Sequence, residues 1–107
     1  MKKVKFPHPG EMLKYEYLEP LGLSAYKLSK YTGISQTYLS KINNGKASIT
    51  TDVALKLAKF FGSSAEMWIG FQTTFDLRER SAALSEDIDK IPTVKELGLL
   101  PAHYEAS

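Results

Sequence analysis

The stretch Gln36-Thr37-Tyr38-Leu39-Ser40-Lys41 holds the densest set of side chains able to read a hydrogen-bonding surface. At helical spacing, Gln36, Thr37, Ser40 and Lys41 share one face, opposite Leu39 and Ile42. A glutamine can pair bidentately with adenine. A lysine can reach guanine O6 and N7, and a threonine methyl can meet the thymine methyl. No carboxylate stands among these four to repel a phosphate backbone. Ser35, just before them, suits a phosphate held at a helix N-terminus. Tyr26, Lys27, Asn44 and Lys46 flank the stretch and suit backbone contacts, which position a protein on a duplex without specifying sequence.

Other chemistries find little support. His8 and His103 are the only histidines, and the chain has no cysteine. Neither a metal-ligand set nor a disulfide or thiol chemistry is expected. No nucleophile elbow occurs, and Asn44-Gly45-Lys46 lacks both the strand and the second glycine of a phosphate-binding loop. The expectation is therefore no catalytic residue, no metal, no cofactor and no enzyme.

The elements that must position the reading face are helices. Apolar residues recur at helical spacing after Pro9-Gly10-Glu11, at Leu13, Tyr17, Leu18 and Leu21, until Pro20 and Gly22 predict a stop. Ser24 is placed to cap a helix over 25–32, and Gly33 to end it. Ser35 is placed to cap a second over 36–43, ended by Asn43-Asn44-Gly45. Small Ser29 lies four residues before Gly33, and Leu28, Ile34, Leu39 and Ile42 are placed to wedge the pair at a fixed angle. That is the arrangement a helix-turn-helix needs. Thr50 predicts a cap for 51–61, where Ala54, Leu57, Ala58 and Phe61 form an apolar stripe before Gly62. Ser63-Ser64-Ala65-Glu66 reads as a capping box for a fifth helix over 64–80 carrying Trp68, Phe71 and Phe75. No stretch alternates as a strand would.

Residues 81–107 break this pattern with Ile-Pro and Leu-Pro steps and a negative balance. One short helix is expected at 93–98, where Thr93 and Glu96 form a second capping box, and loop elsewhere. The division expected is an N-terminal arm (1–8), a DNA-binding unit (9–80) and a C-terminal extension (81–107). With 107 residues, 43% apolar and 24% charged, the chain suits one soluble domain. No apolar run reaches a membrane span, and no apolar segment follows the basic start. A cytoplasmic location is the expectation.

The net charge of +2 conceals a split. Residues 1–60 carry ten lysines against four acids, a net +6. Residues 61–107 carry four basic residues against eight acids, a net −4. A basic half bearing an acid-free reading face points to nucleic acid.

Ser24–Gly45 resembles the Cro/repressor-type helix-turn-helix. A wider pattern is more specific. His8-Pro9-Gly10-Glu11, Glu19-Pro20-Leu21-Gly22, Asn44-Gly45-Lys46, Ala54–Ala58 and Ala65-Glu66-Met67-Trp68, with Gln72 and Asp76-Leu77, are similar to the HigA-type antitoxins, also called virulence-associated protein I or addiction-module antidote proteins. The match covers residues 8–80.

The resemblance implies an all-α, compact five-helix, lambda-repressor-like domain. It implies a dimer on palindromic double-stranded operator DNA, repressing its own promoter, with base contacts from Gln36, Thr37, Ser40 and Lys41. It further implies neutralisation of a small basic toxin of RelE-like fold that cuts mRNA. Such dimers pair through the fifth helix, which makes Trp68, Phe71 and Phe75 candidate interface residues. The same stripe would equally serve as the helix's core face. Gly70 stands where relatives often have asparagine, and would permit a close helix approach. The acidic run Ser85–Asp89 is either a solvated tail or a contact for a basic toxin. A stand-alone Cro-like repressor without a toxin is the alternative function.

Overall fold

Serine and threonine open four of the helices. Ser24 Oγ accepts from Lys27 N–H at 3.1 Å, Ser35 Oγ from Tyr38 N–H at 3.1 Å, Thr50 Oγ1 from Val53 N–H at 3.3 Å and Ser64 Oγ from Met67 N–H at 3.1 Å. Each cap satisfies a helix N–H that has no partner within the helix. They define α2 (Ala25–Thr32), α3 (Gln36–Asn43), α4 (Thr51–Phe61) and α5 (Ala65–Ala83) in a computed structural model that describes residues 7–99.

The first helix, α1, is made of three consecutive pieces: Pro9–Met12, a π-helical stretch Leu13–Leu18, and Glu19–Leu21. It opens on His8, whose Nδ1 accepts from Gly10 N–H at 2.9 Å. Pro20 does not stop this helix as its type predicts. The backbone widens upstream, with Glu19 N–H reaching back five residues to the Lys14 carbonyl. That register tolerates a residue without an N–H. Gly22 then ends the helix.

The core is one cluster. Leu13 and Leu18 of α1, Leu28 of α2, Ile34 of the turn, Leu39 and Ile42 of α3, Ile49, the α4 stripe Val53, Ala54, Leu57 and Ala58, and Trp68 of α5 are all buried together. Burying each large aliphatic side chain contributes about 1.5–3 kcal/mol. Helix α4 lies on α5. Helix α1 bridges α3 and α5, and α2 rests on both α3 and α4. The five helices thus close around the faces their periodicity marked as apolar.

The sequence expectations differ from the structure at three points. At the start of α5 the cap is Ser64, not Ser63. The Ser63 hydroxyl accepts from Trp68 Nε1 at 3.0 Å, because a fully buried indole N–H needs an acceptor. At its other end, α5 runs to Ala83, past the expected boundary at 80, and α6 (Ser85–Asp89) follows where loop was expected. Glu86 and Asp87 lie in the first turn of α6, a favourable placement against the helix dipole. The helix expected at 93–98 is a single turn. Thr93 and Glu96 do bond reciprocally, but Gly98 N–H returns to Lys95 and Leu99 N–H to Val94, which closes the turn at once.

Beyond Gln72 the burial ends. Residues 76–99 are exposed except for half-buried Leu84. The radius of gyration is 18.7 Å, against about 13 Å for a compact chain of this length. The end of α5 and α6 therefore form an arm that projects from the helical core. Among the described residues, no helix is long and apolar enough to cross a membrane.

Candidate nucleic-acid interface

The turn between α2 and α3 sets the attitude of the reading face. Gly33 has φ +78°, a left-handed conformation that glycine adopts without steric cost. Thr32 clips the turn: its hydroxyl donates to the Leu28 carbonyl at 2.7 Å and accepts from Ile34 N–H at 3.2 Å. Leu28, Ile34, Leu39 and Ile42 are each at most 5% exposed. The wedge read from the sequence is thus the wedge that forms.

With Leu39 and Ile42 turned inward, Gln36, Thr37, Ser40 and Lys41 are exposed on α3. Gln36, Thr37 and Ser40 line one open surface depression. Tyr26, Lys27, Ser35, Asn44 and Lys46 are also exposed, at the start of α2 and on either side of α3. Lys30 Nζ lies 5.8 Å from the Tyr26 ring centroid, adding a cation to that end of α2. The structure therefore presents all nine candidate DNA-contacting side chains to solvent.

Three supports behind this face are not evident from residue types. Gly10 is buried against the end of α3, where a Cβ would fall onto the carbonyl of Ile42. The Pro9-Gly10 start is thus a close-approach contact as well as a helix beginning. Tyr38, the half-buried member of α3, donates its hydroxyl to the Ser48 carbonyl at 2.6 Å. Gln72 is 6% exposed and accepts from Ile49 N–H at 2.8 Å, while its amide donates to Asp76 Oδ1 at 2.9 Å. Together Tyr38 and Gln72 pin the loop that carries Lys46. A polar residue on an apolar helix face was the available signal for Gln72.

His8 sits at the same junction. Its ring meets Phe75 edge-on at a centroid distance of 4.8 Å and faces Gly45. Burial lowers its pKa below the usual histidine value, with Glu11 and Asp76 opposing. His103 lies outside the described residues.

The aromatic stripe divides. Trp68 is 0% exposed and packs with Tyr17, Phe61 and Phe71. A ring enclosed on every side by its own chain has no surface left for a second copy, so Trp68 belongs to the core and not to an interface. Phe71 and Phe75 are half-buried. Gly70 is exposed, and a Cβ there would meet nothing within 4 Å, so it mediates no close approach within this chain.

A clipped turn, a wedged helix pair and an outward, acid-free second helix define a helix-turn-helix DNA-binding protein. The helix-turn-helix family model matches residues 14–68. The chain is 44% identical over 71 residues to virulence-associated protein I of Dichelobacter nodosus, an alignment covering 66% of each chain. Among solved structures, it resembles an addiction module antidote protein of the HigA family from Coxiella burnetii, at TM-score 0.78 and 37% identity over 84% of this chain and 98% of that one. It also resembles the Pseudomonas aeruginosa antitoxin HigA, solved with the higBA promoter, at TM-score 0.81 and 27% identity over 84% and 99%. The chain belongs to the HigA-type antitoxins, a family of helix-turn-helix regulators and not of enzymes.

Proposed function

We propose that this chain is the autorepressing antitoxin of a two-gene module. It binds its own palindromic operator as a homodimer and holds a small basic, RelE-like ribonuclease toxin inactive. The observation that carries the DNA half is the outer face of α3. Gln36, Thr37, Ser40 and Lys41 read base edges, while Tyr26, Lys27, Ser35, Asn44 and Lys46 contact phosphates. The P. aeruginosa relative solved with the higBA promoter supports this assignment. Two copies are required because one short helix reads too few base pairs, and a two-fold dimer sets two half-sites about one helical turn apart. Phe71 and Phe75 are retained as interface residues at the edge of the core. The DNA-binding unit is residues 9–80 with the remainder of α5, and the extension follows it.

Co-expression tests the toxin half. The neighbouring small open reading frame, expressed alone, is expected to arrest translation, and this chain to restore growth. Gel shift with the upstream DNA tests the other half. Operator binding without any toxin rescue would leave the stand-alone repressor as the function.

A further inference from the structure

Two exposed apolar patches of opposite charge are left without partners by the fold. The first is a groove between α2 and α4 lined by Tyr31, Thr32, Leu55, Lys56, Lys59 and Phe60. Tyr31 and Phe60 stack there at 5.7 Å with their planes 16° apart, and Leu55 is 57% exposed. The lining holds two lysines and no acid. It belongs to neither the reading face of α3 nor the residues assigned to phosphates. The second patch is the projecting arm. Leu77, Ile88 and Ile91 are exposed on it, beside Glu86, Asp87 and Asp89.

We infer that the arm of one copy docks in the α2–α4 groove of a second copy of this chain, with Ile88 and Ile91 against Tyr31, Leu55 and Phe60 and the carboxylates of Glu86, Asp87 and Asp89 facing Lys56 and Lys59. The inference rests on the homodimer reading above and says where the extension goes in that dimer. Three observations carry it. The charges are complementary, and such complementarity fixes register and partner. The arm buries almost nothing on its own chain, and the chain is far more extended than its length requires. The connectivity also allows the docking. Helix α5 has 19 residues, about 28 Å. Pairing two such helices antiparallel about a two-fold axis carries the C-terminal end of one to the N-terminal end of the other. The groove residues Lys59 and Phe60 lie immediately before that N-terminal end, in the last turn of α4. The same two-fold axis makes the contact twice, so the assembly closes and does not propagate.

A charge-swap experiment tests this. One variant carries Lys56→Glu and Lys59→Glu. The other carries Glu86→Lys, Asp87→Lys and Asp89→Lys. All five positions are exposed, and circular dichroism checks that both variants fold. Each alone is expected to dimerise at least about tenfold more weakly than the unmodified chain, because groove and arm then carry the same sign. Mixed together they restore complementarity at both contacts, so a heterodimer of near-normal affinity is expected. Since the chain has no cysteine, a Leu55→Cys copy mixed with an Ile88→Cys copy is expected to give an interchain disulfide.

Dimers of unchanged affinity from both charge variants, without the disulfide, would overturn the docking and leave the dimer standing. A monomer mass for the unmodified chain, free and on operator DNA, would overturn the dimer with it. An intrachain disulfide in a Leu55→Cys, Ile88→Cys double variant of monomer mass would show the arm folding onto its own groove, and would also overturn the inference. So would unchanged dimerisation of the Glu86, Asp87 and Asp89 variant with loss of toxin binding, which would give the acidic segment to the toxin.

Discussion

Gly10 and Ile42 touch through backbone: the Cα of Gly10 is set against the Ile42 carbonyl so closely that no side chain fits between them. This contact joins the first turn of α1 to the last turn of the reading helix. The orientation of α3 thus depends on a residue 26 positions upstream of its first turn as well as on the wedge below it.

Gly10→Ala is expected to destabilise the protein by about 1–3 kcal/mol, because the blocking atoms are backbone and cannot rotate aside. Urea denaturation measures this. Operator affinity of the folded fraction should fall as well, since α3 must shift to admit the methyl group. Gly70→Ala is the control. Nothing lies within 4 Å of a Cβ there, and removing a mid-helix glycine favours the helix.

Gln72→Leu fills the same space but removes the acceptor for Ile49 N–H. A buried backbone donor left unpaired costs about 1–3 kcal/mol. Gln72→Glu keeps an acceptor oxygen and should retain more stability near neutral pH. It also places a carboxylate beside Asp76, so the retention is expected to be partial. The urea midpoints should rank unmodified, Gln72→Glu, Gln72→Leu.

Base-reading and phosphate-contacting residues separate by their mutational signatures. Lys41→Ala or Thr37→Ala should cost about 1–3 kcal/mol at the operator and relax the preference for one base pair. Lys46→Ala should weaken all sequences alike and reduce the salt slope by about one ion. Fluorescence anisotropy at several salt concentrations distinguishes the two. Identical signatures for Lys41 and Lys46 would refute the division of roles.

Histidine 8 makes stability depend on pH. Burial lowers its folded-state pKa below 6.5, so the unfolded chain takes up the proton first. The contribution of neutral His8 is fully present above about pH 6.5 and is lost as pH falls from there towards the lowered value. Protonation also turns Nδ1 from the acceptor of Gly10 N–H into a donor, which breaks the cap of α1. Urea midpoints between pH 5 and 7.5 should therefore fall on acidification. His8→Asn keeps a capping oxygen without titrating, and should flatten that part of the profile.

Trp68, fully buried, reports on its own core. Its emission should be blue-shifted and unchanged as the dimer is diluted apart. Trp68→Ala should cost about 3–5 kcal/mol in stability. A red shift on dilution, before unfolding, would place the ring at the interface after all.

Much of this protein is local in origin, and the sequence determined that much by itself. Caps at Ser24, Ser35 and Thr50, the turn at Gly33 and the apolar stripes of α2, α3 and α4 follow from hydrogen bonding and periodicity within a few residues. So does the outward set Gln36, Thr37, Ser40 and Lys41, because fixing Leu39 and Ile42 inward leaves those four outside. Tertiary structure decided what depends on distant partners. It took Ser63 from the cap of α5 to serve the Trp68 indole, carried α1 through Pro20, and set Gly10 against Ile42. It gave Trp68 wholly to the core, since an aromatic stripe has the same spacing whether it faces its own chain or another. It also left the end of α5 and α6 projecting: helical spacing shows which face is apolar, but only packing shows whether anything covers it.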